Sequence, residues 1–174
     1  RADVKIQTLR LSHDLDNEPC FVEITEHGKR KKVKVVFDAV IIFEFLKGGQ
    51  HYSFYPLIVE IDRGMEEQKK FKDHVRARLE CVKKDGEFKK MFGLDSANIV
   101  YLTTGELPQY GESRRKTMRK WTSEVLAERR QESWSPVFRF ANTVAGDIYK
   151  TPFFSSPVWY QPDNPSPVSL FLFQ

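Results

Sequence analysis

The chain has 174 residues, 40% of them hydrophobic and 13% aromatic with 14 Phe, which supplies one ordinary core and excludes a disordered chain. It carries 28 Lys and Arg against 24 Asp and Glu, a net charge of +4 that admits a nucleic-acid partner without specifying one. No run of about 18 apolar residues occurs, so no membrane partner is expected, and Arg1–Asp16 lacks the apolar centre of a secretory leader.

In chain order, residues 2–15 read as a short helix or an irregular lead-in, because Val4, Ile6, Leu9 and Leu11 keep neither a helical nor a strand period. Residues 20–26 alternate as a strand, and His27–Lys32 reads as a basic turn. Val33–Phe37 runs into an apolar strand, Asp38–Leu46, and a Gly48-Gly49 turn joins it to a second strand, Ser53–Asp62. Met65, Phe71, Val75, Leu79 and Val82 then recur at helical spacing, predicting a helix over 65–83. Residues 85–92 form a turn or short helix, 98–103 a buried strand, and Pro108 and Gly111 mark a loop. A second charged helix is predicted over 112–131 and a strand over 136–140. The Pro- and aromatic-rich tail from Gly146 should wrap the surface, with 168–173 as a last strand. The expected architecture is one α/β domain, core about 20–142, with a mixed central β-sheet flanked by helices. The chain starts at Arg1 without Met, which suggests a fragment of a longer protein with a domain upstream. Cys20 and Cys81 lie far apart in sequence, match no metal spacing, and read as reduced thiols of a cytoplasmic protein.

The chemistry gathers in Val33–Gly64. Glu60 and Asp62 lie two apart on one strand, so their side chains point the same way. With Asp38 beside them, three carboxylates would converge, and their mutual repulsion calls for a cation. Mg²⁺ or Mn²⁺, hard ions with oxygen ligands, suit such a cluster. Glu60 follows the unbroken apolar run Leu57-Ile58-Val59, where an unpaired carboxylate costs several kcal/mol. The helix after Arg63-Gly64 would turn its positive end toward this place, which favours phosphate.

Asp38, then Glu60-Ile61-Asp62 across a hairpin, then a helix, resembles the PD-(D/E)XK nuclease superfamily. Within it, Val59–Gly64 is similar to the EVDRG signature of the replication-relaxation proteins of plasmids and other mobile elements. The resemblance implies a restriction-endonuclease-like fold and a metal-dependent DNA endonuclease or nickase. Asp38, Glu60 and Asp62 would be the metal ligands and Lys72 the charge-stabilising residue. Asp62 stands where the superfamily has Lys, which motivates an alternative: a catalytically inactive DNA-binding or assembly domain. Lys72 and His74 are the candidates for the Lys that family members carry in the following helix.

Among the cations, Lys69, Lys72 and Arg76 share one side of the first long helix and are the preferred phosphate contacts. Lys31 in the basic turn and Arg114 on the second helix are further DNA-binding candidates. The other helical cations read as a solvated face. The four histidines show no metal spacing, and Phe153, Phe154, Trp159 and Tyr160 read as packing rather than as a stacking platform for bases. Beside DNA, the expected partners are a second copy of the chain or the upstream DNA-binding domain.

Overall fold

The computed structural model describes residues 3–15, 17, 19–26, 28–64, 66–104, 108–143 and 154–171. The strands are β1 (Asp3–Leu11), β2 (Cys20–Glu26), β3 (Lys29–Val35), β4 (Ala39–Lys47), β5 (Gln50–Asp62), β6 (Asn98–Thr103) and β7 (Phe138–Asn142); helix α1 (Ser12–Leu15) follows β1, α2 (Gln68–Val82) and α3 (Glu87–Phe92) follow β5, and α4 (Pro108–Glu128) follows β6. A 3₁₀ turn, Glu132–Val137, precedes β7. Five strands form one mixed sheet in the order β1-β4-β5-β6-β7, while β2 and β3 form a separate two-stranded ribbon. The expected mixed α/β architecture is therefore present.

The chain divides into two compact units, residues 1–59 with 73–99 and residues 60–72 with 100–174. In the first, β4 pairs antiparallel with β1 and with β5, and Lys47 and Gln50 close the hairpin around Gly48-Gly49 as expected. The core of this unit takes Val40, Ile42, Leu57 and Ile58 from the strands and Val75, Leu79 and Val82 from α2, at the helical spacing read from sequence.

Three expectations need correction. Residues 3–15 of the lead-in are neither helix nor irregular but a nine-residue strand followed by one helical turn. Of the expected basic turn 27–32, Lys29–Lys32 instead begins β3, and Gly28 lies in a turn. Pro108 and Gly111 do not mark a loop but open α4. Proline fits the first helical position because its missing N–H would have no partner there.

In the second unit, Phe71, Tyr101 and Trp121 pack ring against ring, with centroids 5.3 and 5.7 Å from Phe71. Gly111 is buried against the Asn142 side chain, and a Cβ at that position would overlap it. The described part of the tail packs as the sequence suggested: Trp159 is buried, Phe154 stacks on Phe171 at 5.2 Å, and Phe140 and Tyr160 form a β-bridge. Phe153 and 172–173 of the expected last strand lie outside the described residues, and Val168 bridges Trp159. Among the described residues, no helix is long and apolar enough to cross a membrane.

Candidate functional site

The end of β5 carries the acidic signature. Strand alternation buries Glu60 (7% exposed) and Asp62 (9%) and leaves Ile61 outside at 48%, so the two carboxylates do share a side. Asp62 is held from several directions. Arg114 on α4 donates from Nε to Oδ2 at 2.8 Å and from a terminal nitrogen to Oδ1 at 2.9 Å. The Gly64 N–H adds a bond to Oδ2 at 3.0 Å. Gly64 has φ +82°, a left-handed conformation that glycine adopts without strain, and it is this turn that aims the amide back at the carboxylate. Arg114 also donates to the Glu66 carbonyl at 2.9 Å and lies 5.2 Å from the Trp121 ring centroid. The Thr104 N–H bonds the Asp62 carbonyl at 2.9 Å. Planar, bidentate and largely out of water, the Asp62–Arg114 pair holds β5 to α4 in a defined register.

The other expected site residues are placed as follows. Asp38 is half-buried in the first unit, one residue before β4, and its carbonyl accepts the Ser12 N–H at 3.0 Å. Lys72 belongs to the second unit, where its ammonium meets Glu124 at 2.8 Å and Glu128 at 3.4 Å. The hydrogen bond to Glu124 holds its pKa above the usual lysine value, so it is a cation at any physiological pH. Lys69 stands exposed on the first turn of α2. Arg76 bonds the Asp73 carboxylate at 2.9 Å, and Lys31 reaches the same carboxylate at 3.6 Å. Four of the five expected phosphate contacts, Lys31, Lys72, Arg76 and Arg114, therefore sit on carboxylates of this chain. Among the described residues, no group of three or more His, Cys, Asp or Glu side chains is arranged to hold a metal ion.

A different cationic surface is left in water. In the β2–β3 ribbon, Cys20 pairs with Val35, Val22 with Val33 and Ile24 with Lys31, and paired residues share a face. This face buries Cys20, Val22, Ile24 and Val35. The opposite face pairs Phe21 with Lys34, Glu23 with Lys32 and Thr25 with Arg30, and all six are exposed. The Lys32 ammonium lies 4.8 Å from the ring centroid of Phe21, a residue that is itself 41% exposed. The ion pair of Arg30 with Glu23 spans 3.9 Å between side chains 83% and 68% exposed, so water screens it. In sequence, residues 20–35 hold five cations, Lys29, Arg30, Lys31, Lys32 and Lys34, against two acids, Glu23 and Glu26, a surplus of three in a chain whose total is +4.

No family model, no curated protein and no solved structure matches the chain. Its site is therefore read from its own residues. A turn over Lys29–Lys32 hides the outer ribbon face, which exists because these residues begin β3. The available signal was the period-two alternation of Lys32 and Lys34 with Val33 and Val35. No sequence signal joins Asp62 to Arg114 across 52 positions.

Proposed function

We propose that this chain is a DNA-binding domain that holds duplex DNA through the outer face of the β2–β3 ribbon and needs no metal to do so. The observation that carries this reading is the exposed, one-sided row of Arg30, Lys32 and Lys34 around Phe21. A two-stranded ribbon fits a major groove about 12 Å wide, and its lysines can replace phosphate counterions. By contrast, Arg114 and Arg76 already bond to carboxylates, which removes them as first phosphate contacts. The likeness of Val59–Gly64 to the replication-relaxation signature fits the same reading, as an inactive member with Asp62 in the Lys position. The test is fluorescence anisotropy of a labelled duplex in EDTA. Binding should survive EDTA, weaken with salt, and fall at least about tenfold in Lys32→Glu/Lys34→Glu. Equal affinity in that variant would defeat the reading.

A second reading, a metal-dependent DNA endonuclease or nickase with a restriction-endonuclease-like fold, is favoured by one observation: Glu60 is a buried carboxylate on the same side of β5 as Asp62. It predicts nicking of supercoiled plasmid with Mg²⁺ or Mn²⁺ that Glu60→Ala abolishes. Intact plasmid under both metals would remove it.

A further inference from the structure

Cys20 is the first residue of β2 and Cys81 lies in the last turn of α2, both in the first unit; they are the chain's two cysteines. They are 61 positions apart in sequence, yet their Sγ atoms are 3.6 Å apart and hydrogen-bonded. Both residues are buried, at 4% and 0% exposure. A disulfide needs about 2.05 Å between sulfurs, so closing the bond would move each by less than about 1 Å.

The two sulfurs are not equivalent. The hydrogen bond with Cys81 lowers the Cys20 pKa, and Lys90 lowers it further against the opposing effects of burial and Glu87. The same hydrogen bond, with burial, pushes Cys81 up, so it keeps its proton. Cys20 also lines a small hollow with Leu15, Lys34, Val36, Phe37 and Met91, about 10 Å³ in volume. That space suits a molecule near the size of water.

We propose that Cys20 and Cys81 form an intramolecular disulfide site whose oxidant is hydrogen peroxide. The Cys20 thiolate attacks one peroxide oxygen and the O–O bond breaks. Cys20 becomes a sulfenic acid, and the departing hydroxide leaves as water with the proton that Cys20 released. The Cys81 sulfur then attacks the sulfenic sulfur. The S–O bond breaks, and the hydroxyl leaves as a second water with the Cys81 proton. Two thiols lose two hydrogens in all, and one peroxide is reduced to two waters. The new bond ties the base of the ribbon to α2 and closes a long loop in the unfolded chain.

The experiment treats the whole chain with hydrogen peroxide, then with N-ethylmaleimide in denaturant, and reads intact mass and Tm. The expected product has lost two hydrogens, carries no maleimide, and melts on the order of 5 °C higher until dithiothreitol reverses the change. In Cys81→Ser, which removes the resolving sulfur but keeps a hydrogen-bonding hydroxyl beside Cys20, dimedone should capture a sulfenic acid on Cys20. Two maleimides on the treated parent chain would overturn the proposal, as would separate sulfinic acids or a disulfide between two chains. An intramolecular disulfide in the parent with no dimedone adduct on Cys20 in Cys81→Ser would overturn the assignment of Cys20 as attacking sulfur.

Discussion

The end of β5 and the β2–β3 ribbon use the same residue types to opposite ends. At Asp62 and Arg114 a carboxylate and a guanidinium are both largely out of water, at 8% and 14% side-chain exposure, and each satisfies the other. On the ribbon, Arg30 and Glu23 stand 3.9 Å apart in full contact with solvent. The first pair fixes structure, because breaking it strands a desolvated charge. The second contributes little to stability, and its guanidinium stays in contact with water. Burial, rather than residue identity, decides which charges hold the fold and which can meet a ligand.

The sharpest way to break this contrast is to remove one partner of the buried pair. Arg114→Ala should cost about 3–5 kcal/mol in urea denaturation, and Asp62→Leu/Arg114→Met should recover most of it. A loss under about 1 kcal/mol would place Asp62 among the surface charges after all. Gly111→Ala comes next, at about 1–3 kcal/mol, because the added methyl overlaps Asn142. On the ribbon the sign of the test reverses. Lys32→Glu/Lys34→Glu should leave the urea midpoint within about 0.5 kcal/mol while lowering duplex affinity at least about tenfold.

Lys72 offers a titration between these extremes. Its folded pKa is raised above 10.5, with the Glu124 hydrogen bond the largest cause. The stability it supplies is therefore fully present below the unfolded value and is lost as pH rises through the folded one. The gap between the parent and Lys72→Met should stay level from about pH 6 to 9 and close only above about pH 10.4. A gap that closes near neutral pH would contradict the Glu124 contact. The smallest effect belongs to Glu23→Ala, which should change stability by less than about 0.5 kcal/mol.

Some elements were legible because their signal is local. Asn98–Thr103 is a strand with the bounds its apolar run gives, and the Gly48-Gly49 hairpin closes where two glycines permit a tight turn. The apolar spacing from Phe71 to Val82 marks the buried side of α2. β1 was illegible for an equally local reason. Its register slips between Ile6 and Thr8, so Val4, Ile6, Leu9 and Leu11 pair with Phe45, Phe43, Ile41 and Ala39, all on one face of β4. The bulge adds one residue, and a regular alternation in space becomes a broken one in sequence.

For the candidate site, the sequence by itself determined that Glu60 and Asp62 share a side of one strand, since alternation is a property of the extended backbone. It also determined that a cationic surplus lies between residues 20 and 35. Only the tertiary structure decided that Arg114 bonds to Asp62, that Lys72 meets Glu124 and Glu128, and that Cys20 touches Cys81. These partners lie 52 or more residues apart. Charge and thiol chemistry act over a few ångströms, and no pattern of neighbouring residues records which distant side chain folding will bring within that reach.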